Sequence, residues 1–174
     1  LTNHELVRLC LSGTAEAQRL LYDRFVTSMA RLCQRYLHDR DDAEDVLMEG
    51  FMKVFKSLNK FTYTDENSLE VWMRRIIINE CLMRLRKSRW LVIVESYATD
   101  IPETIDTAIS AEEILRLISA LPQGYRTVFN LYAIDGYSHA EIATLLGISE
   151  SASRSQLSHA RSRLKELLTL HGWK

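Results

Sequence analysis

The chain has 174 residues, 47% of them hydrophobic, and its 22 Lys/Arg against 23 Asp/Glu leave a formal net charge of −1. That length holds one packed domain or two small ones, and the near-neutral balance excludes a protein that coats nucleic acid indiscriminately. No apolar run reaches membrane-span length, and the start, LTNHELVRLC, lacks a basic segment followed by an apolar one, so a cytoplasmic protein is expected.

Thr2 and Glu5 have the spacing of a capping box, in which hydroxyl and carboxylate satisfy unpaired N–H groups at a helix start. They open a short helix with Leu6, Leu9 and Cys10 inward, which Ser12-Gly13 breaks. A long helix is expected from Thr14 to about Leu37, where Ala17, Leu20, Leu21, Phe25, Met29 and Tyr36 recur at helical spacing and predict a buried stripe. Cys10, Cys33 and Cys81 form neither C-x-x-C nor a Cys/His pattern and read as buried thiols rather than metal ligands.

Asp41 or Asp42 caps a third helix, AEDVLMEGFMKVFKSL. Its acidic start lacks the Gly and terminal Glu of a calcium loop, and first-turn carboxylates are explained by the helix dipole, so no metal is expected. Val46, Phe51, Val54, Phe55 and Leu58 can supply core, leaving Asp45, Met48, Glu49, Met52 and Lys53 as a mixed outer surface suited to a partner helix. The polar loop Asn59 to Asn67 carries Phe61 and Tyr63, and Ser68 then caps a basic helix, LEVWMRRIIINECLMRLRKSR. Aromatic rings beside cations can stack on and track an unpaired strand. Trp72, Ile76, Asn79 and Met83 share a face of this helix; Trp72 reads as a core anchor, and Asn79 as either hydrogen-bonded structure or a base reader.

From Trp90 to Ile109 helical periodicity gives way to β-branched residues and Pro102, which reads as a linker whose apolar WLVIV packs on a domain or a partner's groove. Ser110 and Glu113 cap a further helix with Ile114, Leu117 and Ile118 inward; after Leu121-Pro122 another carries Val128, Phe129 and Tyr132. Ser138 with Glu141 starts the next helix, which ends at Gly147, and Ser149 caps the last, giving helix-turn-helix spacing. At about 100° per residue, Ser153, Leu157, Ala160, Leu164, Leu167 and Leu168 face inward on that helix. Ser151, Ala152, Ser155, Ser158, His159 and Ser162 point outward, flanked by Arg154, Arg161 and Arg163. Small polar residues let a helix approach a major groove, and arginines reach phosphates or guanine edges; an ordinary helical hairpin with a solvated face has the same periodicity.

Four stretches in order resemble the extracytoplasmic-function (ECF) sigma factors of bacterial RNA polymerase: DDAEDVLMEGFMKVF, VWMRRIIINECLMRLRK, LPQGYRTVFNLYAIDGYSHAEIATLLGIS and ARSRL. The resemblance implies an all-α fold of two small helical domains, residues 1–89 (region 2) and 110–174 (region 4), joined by a linker at 90–109, the second domain holding the helix-turn-helix. Region 2 would bind the β′ clamp helices of core RNA polymerase through Asp45, Glu49 and Phe51, the last of which also fits the core. It would open the −10 promoter element through Trp72 and Asn79. Asn79 with Phe61 or Tyr63 would hold a flipped base, and Arg74, Arg75, Arg84, Arg86 and Lys87 would neutralise phosphates. Region 4, which meets the polymerase β flap, would read the −35 element through Arg154, Ser155, Ser158 and His159, with Arg161 and Arg163 beside them.

Three positions depart from the family pattern: Met48 stands for a Gln, Ala152 for a Thr, and His159 for an Arg, whose replacement gives a weaker or pH-dependent contact near an unperturbed pKa of about 6.5. Regulation by an anti-sigma factor, often membrane-anchored, is a further implication. The competing readings are a self-sufficient helix-turn-helix regulator, an interaction protein of the same ancestry, and an enzyme. No phosphate-binding glycine loop, nucleophile motif or metal spacing supports the last, so neither catalytic residues nor a cofactor is expected.

Overall fold

The computed structural model describes residues 1–87, 110–170 and 172, and the chain divides into two compact units, 1–85 and 86–174. The expected linker at 90–109, with WLVIV and Pro102, lies outside the described residues. Among those described, every regular element is helical, and no helix is long and apolar enough to cross a membrane.

The first unit contains α1 (Asn3–Leu11), α2 (Ala15–Tyr36), α3 (Arg40–Ser57), a 3-10 turn (Leu58–Lys60) and α4 (Ser68–Lys87) up to Leu85. Glu5 N–H donates to Thr2 Oγ1 at 3.2 Å and Thr2 N–H to Glu5 Oε2 at 2.9 Å, completing the capping box at the start of α1. Gly13 then turns the chain at φ +83°, a conformation open to glycine without strain. The buried stripe of α2 is Ala17, Leu21, Phe25, Met29, Leu32, Cys33 and Tyr36. Leu20, expected inward, is 42% exposed because it lies roughly 140° round the helix from the centre of that stripe. In α1, Val7 is buried and Leu9 is not.

Asp39, not Asp41 or Asp42, caps α3: its Oδ1 accepts from Asp42 N–H at 2.9 Å, leaving the later carboxylates free to point elsewhere. At α4 the capping oxygen likewise comes from one turn earlier. Asp65 Oδ1 accepts from the N–H groups of Asn67 (2.8 Å) and Ser68 (3.0 Å), while the Ser68 hydroxyl donates back to Asp65 O (2.6 Å) and lies within the helix.

Leu6, Leu21, Met29, Met73, Ile77 and Leu82 are fully buried in this unit, each such burial contributing about 1.5–3 kcal/mol. Cys33 and Cys81 are core residues too; the Cys33 hydrogen bond and burial together hold the Cys81 thiol well above its ordinary pKa, so Cys81 remains a thiol at neutral pH. Helices α3 and α4 meet at Gly50, where an added Cβ would overlap Cδ1 of the fully buried Ile77. Gly50→Val is expected to lower unfolding stability by about 1–3 kcal/mol through overpacking, read as a reduced denaturant midpoint with unchanged slope.

The second unit holds α5 (Ala111–Ser119), α6 (Gln123–Phe129) running into a π-helical segment (Asn130–Ile134), α7 (His139–Leu146) and α8 (Glu150–Leu170). Capping boxes Ser110/Glu113 and Ser138/Glu141 start α5 and α7, and Gly147, at φ +67°, ends α7 in the left-handed conformation. Ser149 Oγ accepts from Ala152 N–H at 3.0 Å to start α8. α5, α6 and α7 each pack on α8, through Ser153, Leu157, Ala160 and Leu167, which are buried as the periodicity predicts.

A buried polar layer lies under α6. Arg126 Nη1 donates to Ser119 O at the end of α5 (2.8 Å), Nη2 donates to Gln123 Oε1, and Gln123 Nε2 donates to Thr127 Oγ1 (3.0 Å). Burial lowers the Arg126 pKa to about 10, so the guanidinium is still charged at neutral pH and faces the negative dipole end of α5.

Candidate nucleic-acid interface

In the first unit α4 turns Met73, Ile77, Ile78, Cys81, Leu82 and Leu85 inward. The opposite side presents Arg75, Asn79 and Met83 exposed, with Trp72 and Ile76 half-buried. Trp72, expected as a core anchor, is only partly buried: its ring packs on Phe61, centroids 5.1 Å apart, at the edge of the exposed face. The reason is compositional, since α4 has apolar residues nearly all round. The more hydrophobic, β-branched side takes the core.

The loop before α4 is fixed at its other end. Tyr63 stacks obliquely on His4 (4.6 Å) and its hydroxyl donates to Glu66 Oε1 at 2.8 Å; that bond lowers the Glu66 pKa and raises the Tyr63 pKa. Glu66 also accepts from Asn3 N–H (3.1 Å), and Asn3 Nδ2 donates to Glu66 O (2.7 Å), tying the loop to α1. Phe61 and Tyr63 therefore have different surroundings: Phe61 is beside Trp72 on α4, and Tyr63 is anchored toward α1. Nothing in the sequence pattern marked Asn3 or Glu66 as loop anchors, because the pair is 63 residues apart.

Among the expected phosphate contacts, Arg75, Arg86 and Lys87 are exposed and Arg74 is half-buried. Arg84 departs from the expectation. Its guanidinium points at α3, with Nη1 2.5 Å from Asp42 Oδ1 and Nη2 3.7 Å from both Asp45 Oδ2 and Glu49 Oε1. It occupies the groove between the two helices, where the carboxylate stripe of α3 offers more favourable electrostatics than solvent. A second cross-link, Lys53 Nζ to Glu80 Oε1 at 2.6 Å, buries Glu80 next to Asn79.

The outer side of α3 carries Asp45 and Glu49, their side chains 70% and 58% exposed, with Met48 and Met52 between and beyond them. Phe51 is not part of that surface. It is 2% exposed, its ring 4.7 Å from Tyr22 of α2 and 6.3 Å from Phe55, so its role is to hold α3 on α2.

In the second unit the outward side of α8 is a row of exposed serines, Ser151, Ser155, Ser158 and Ser162, with Ala152 half-exposed at its edge. The basic side chains flank this row, each steadied by a neighbour. Arg154 pairs with Glu150 (2.9 Å), Arg163 with Glu166 (2.8 Å), and the Arg161 guanidinium lies 5.9 Å from the Tyr132 ring centre. The His159 ring stacks on Tyr125 of α6 at 5.5 Å and 20°. Such exposed pairs are worth little in stability but restrict where each cation rests. His139 at the start of α7 stacks on Tyr132 (4.5 Å), and its Nδ1 is 2.8 Å from Ser153 Oγ, which locks α7 onto the buried side of α8. A rigid helix pair thus presents a narrow, small-residue face with cations on both shoulders, a shape that fits a major groove.

The Sigma-70 region 2 family model matches residues 21–91, and the Sigma-70, region 4 model matches residues 111–164. The chain is 28% identical over 171 residues to the ECF RNA polymerase sigma factor SigM of Mycobacterium tuberculosis, covering 96% of this chain and 85% of that one. It is 26% identical over 181 residues to the ECF RNA polymerase sigma-E factor of Haemophilus influenzae, covering 95% and 94%. Among solved structures, the sigma factor RpoE of Bartonella quintana, in complex with the anti-sigma factor NepR, shares the fold with a TM-score of 0.55 at 22% identity, over 87% of this chain and 96% of that one.

Proposed function

Because the chain belongs to the sigma-70 family, as one of its ECF members, we propose that its two units divide promoter recognition between them on the surface of core RNA polymerase. The protein binds the core enzyme and directs promoter-specific initiation. Region 2 docks through the α3 surface around Asp45 and Glu49, and its α4 face with Asn79, Trp72 and Phe61 receives the opened −10 strand. Arg74, Arg75, Arg86 and Lys87 attract its phosphates. Region 4 lays the serine face of α8 into the −35 duplex, where Arg154, Ser155, Ser158 and His159 meet bases or backbone and Arg161 and Arg163 lie at the shoulders.

The observation that carries this reading is the presence in one chain of two unlike nucleic-acid faces. One is aromatic, amide-bearing and cationic, suited to unpaired bases; the other is a helix-turn-helix suited to duplex. A self-sufficient duplex-binding regulator has no use for the first. Either unit alone holds promoter weakly, because two linked modules gain affinity only when both engage at the spacing the polymerase sets. The bond-making chemistry belongs to the polymerase, and this protein acts in the cytoplasm without cofactor or catalytic residues of its own. A partner that masks these surfaces, an anti-sigma factor such as the solved relative carries, fits the same design.

The deciding experiment is run-off transcription from genomic fragments of the source organism with sigma-free core polymerase, with and without the protein. New discrete start sites, sharing two upstream elements, are the expected result. No new starts from folded protein and active core would overturn the reading, and a polymerase pull-down would then separate a non-initiating binding protein from a stand-alone regulator.

A further inference from the structure

The geometry points to Arg84 as a positioning residue for the polymerase-facing carboxylates of α3 rather than as a DNA contact. Asp42, Asp45 and Glu49 are spaced three and four residues apart and so line one side of α3, where their charges repel one another. Arg84 reaches across from α4 and spreads its fork over all three. Its tight contact is Nη1 to Asp42 (2.5 Å), which anchors the guanidinium beside the first turn of α3. The contacts of Nη2 with Asp45 and Glu49 are longer, 3.7 Å each, beyond hydrogen-bond range. The two outer carboxylates are therefore steadied without being saturated, and both remain more than half exposed. Asp42 is the counter-ion that holds the device; Asp45 and Glu49 are the groups it presents.

A cationic partner helix meeting this stripe finds two carboxylates already restrained in neighbouring positions. It loses less side-chain freedom on docking than it would against three mutually repelling, mobile groups. The planar guanidinium is suited to this task because its donors lie in a fixed fork, whereas a lysine amine concentrates its charge at one point. Arg84 also repels an incoming cation through space, but at 3.7 Å it does not hydrogen-bond Asp45 or Glu49, so both exposed carboxylates can still accept from a docking donor.

This inference rests on α3 being the polymerase face, and the test separates the two claims. Affinities of full-length variants for core polymerase are measured by fluorescence anisotropy, with thermal melts as a folding control. Arg84→Met is expected to weaken binding about fivefold to tenfold, the effect of releasing one or two ordered side chains. Arg84→Lys is expected to recover only part of that loss. In the Arg84→Met background the further loss caused by Glu49→Gln should shrink, a coupling that a merely structural role for Arg84 would not produce. The salt dependence of promoter binding by the assembled enzyme should not change. Unaltered or tighter polymerase binding by Arg84→Met overturns the inference, as does a salt slope reduced by about 1, the mark of a lost phosphate contact. If Arg84→Met does not fold, Asp42→Asn loosens the same anchor from the α3 side and must weaken binding in the same direction. Should Glu49→Lys leave affinity untouched, the polymerase face itself is misplaced; should it weaken binding while Arg84→Met does not, only the role of Arg84 fails.

Discussion

Glu49→Lys is expected to weaken association with core polymerase by about tenfold to a hundredfold, while leaving the thermal melt within a few degrees of the parent protein. The size follows from charge reversal in a half-exposed position at an interface, where close charge pairs couple by about 1.5 kcal/mol or more and each 1.4 kcal/mol is tenfold in affinity. Two terms add. The incoming cation loses an attractive partner, and the new ammonium sits near the Arg84 guanidinium, whose Nη2 is 3.7 Å from the native Glu49 oxygen. Stability changes little because the Glu49 side chain is 58% exposed and contributes no core packing. Anisotropy titration of labelled protein with core enzyme reads the effect. Raising salt from 50 to 300 mM on the native protein should weaken binding in the same direction, since the contact is electrostatic. Unchanged affinity would move the interface to another surface of the first unit.

The parts of this molecule that were legible in the sequence are those governed by local chemistry. A capping box needs residues only three apart, and Thr2/Glu5, Ser110/Glu113 and Ser138/Glu141 all close as their spacing requires. Gly147 ends α7 because an αL position favours glycine. The orientation of α8 was equally readable, for its apolar and serine positions separate cleanly around the helix.

The orientation of α4 was not, and the difference is physical. With Trp72, Ile76 and Met83 on one side and Met73, Ile77, Cys81 and Leu82 on the other, the hydrophobic pattern has no dominant direction, so tertiary packing chooses. Phe51 poses a related problem: an aromatic position on a helix expected to bind a partner can serve the core instead, and its burial against Tyr22 distinguishes the roles. Pairs distant in sequence were invisible altogether. Arg84 with Asp42, Lys53 with Glu80 and Asn3 with Glu66 are joined by the fold, and each alters what its members can do at a surface. The buried Arg126–Gln123–Thr127 layer belongs to the same class, since an arginine in a short helix carries no signal that its head will be desolvated.

The orientation of α4 sharpens the expectation for Asn79→Ala. Had Asn79 faced the core, its loss would have left a cavity and an unpaired partner. Exposed as it is, with no hydrogen bond to its amide among the described residues, its replacement should leave folding and polymerase affinity nearly unchanged. The effect should appear at strand opening. Extracting a base from the duplex costs a few kcal/mol, and an amide that hydrogen-bonds the extruded base returns about 1–3 kcal/mol of it. Asn79→Ala should therefore reduce the open fraction of promoter about fivefold to a hundredfold, scored by reactivity of unpaired thymines at the −10 element. Trp72 lies seven residues earlier on the same helix, roughly 10 Å along its axis, and with Phe61 supplies an apolar platform to one side of the amide. Trp72→Ala should give a defect of the same kind, accompanied by loss of stability because that ring is partly buried against Phe61. Asn79→Ala has no such second term, which makes it the cleaner probe. If it lowers polymerase binding and strand opening by the same factor, Asn79 is not a base reader, and the exposed face of α4 acts through its cations alone.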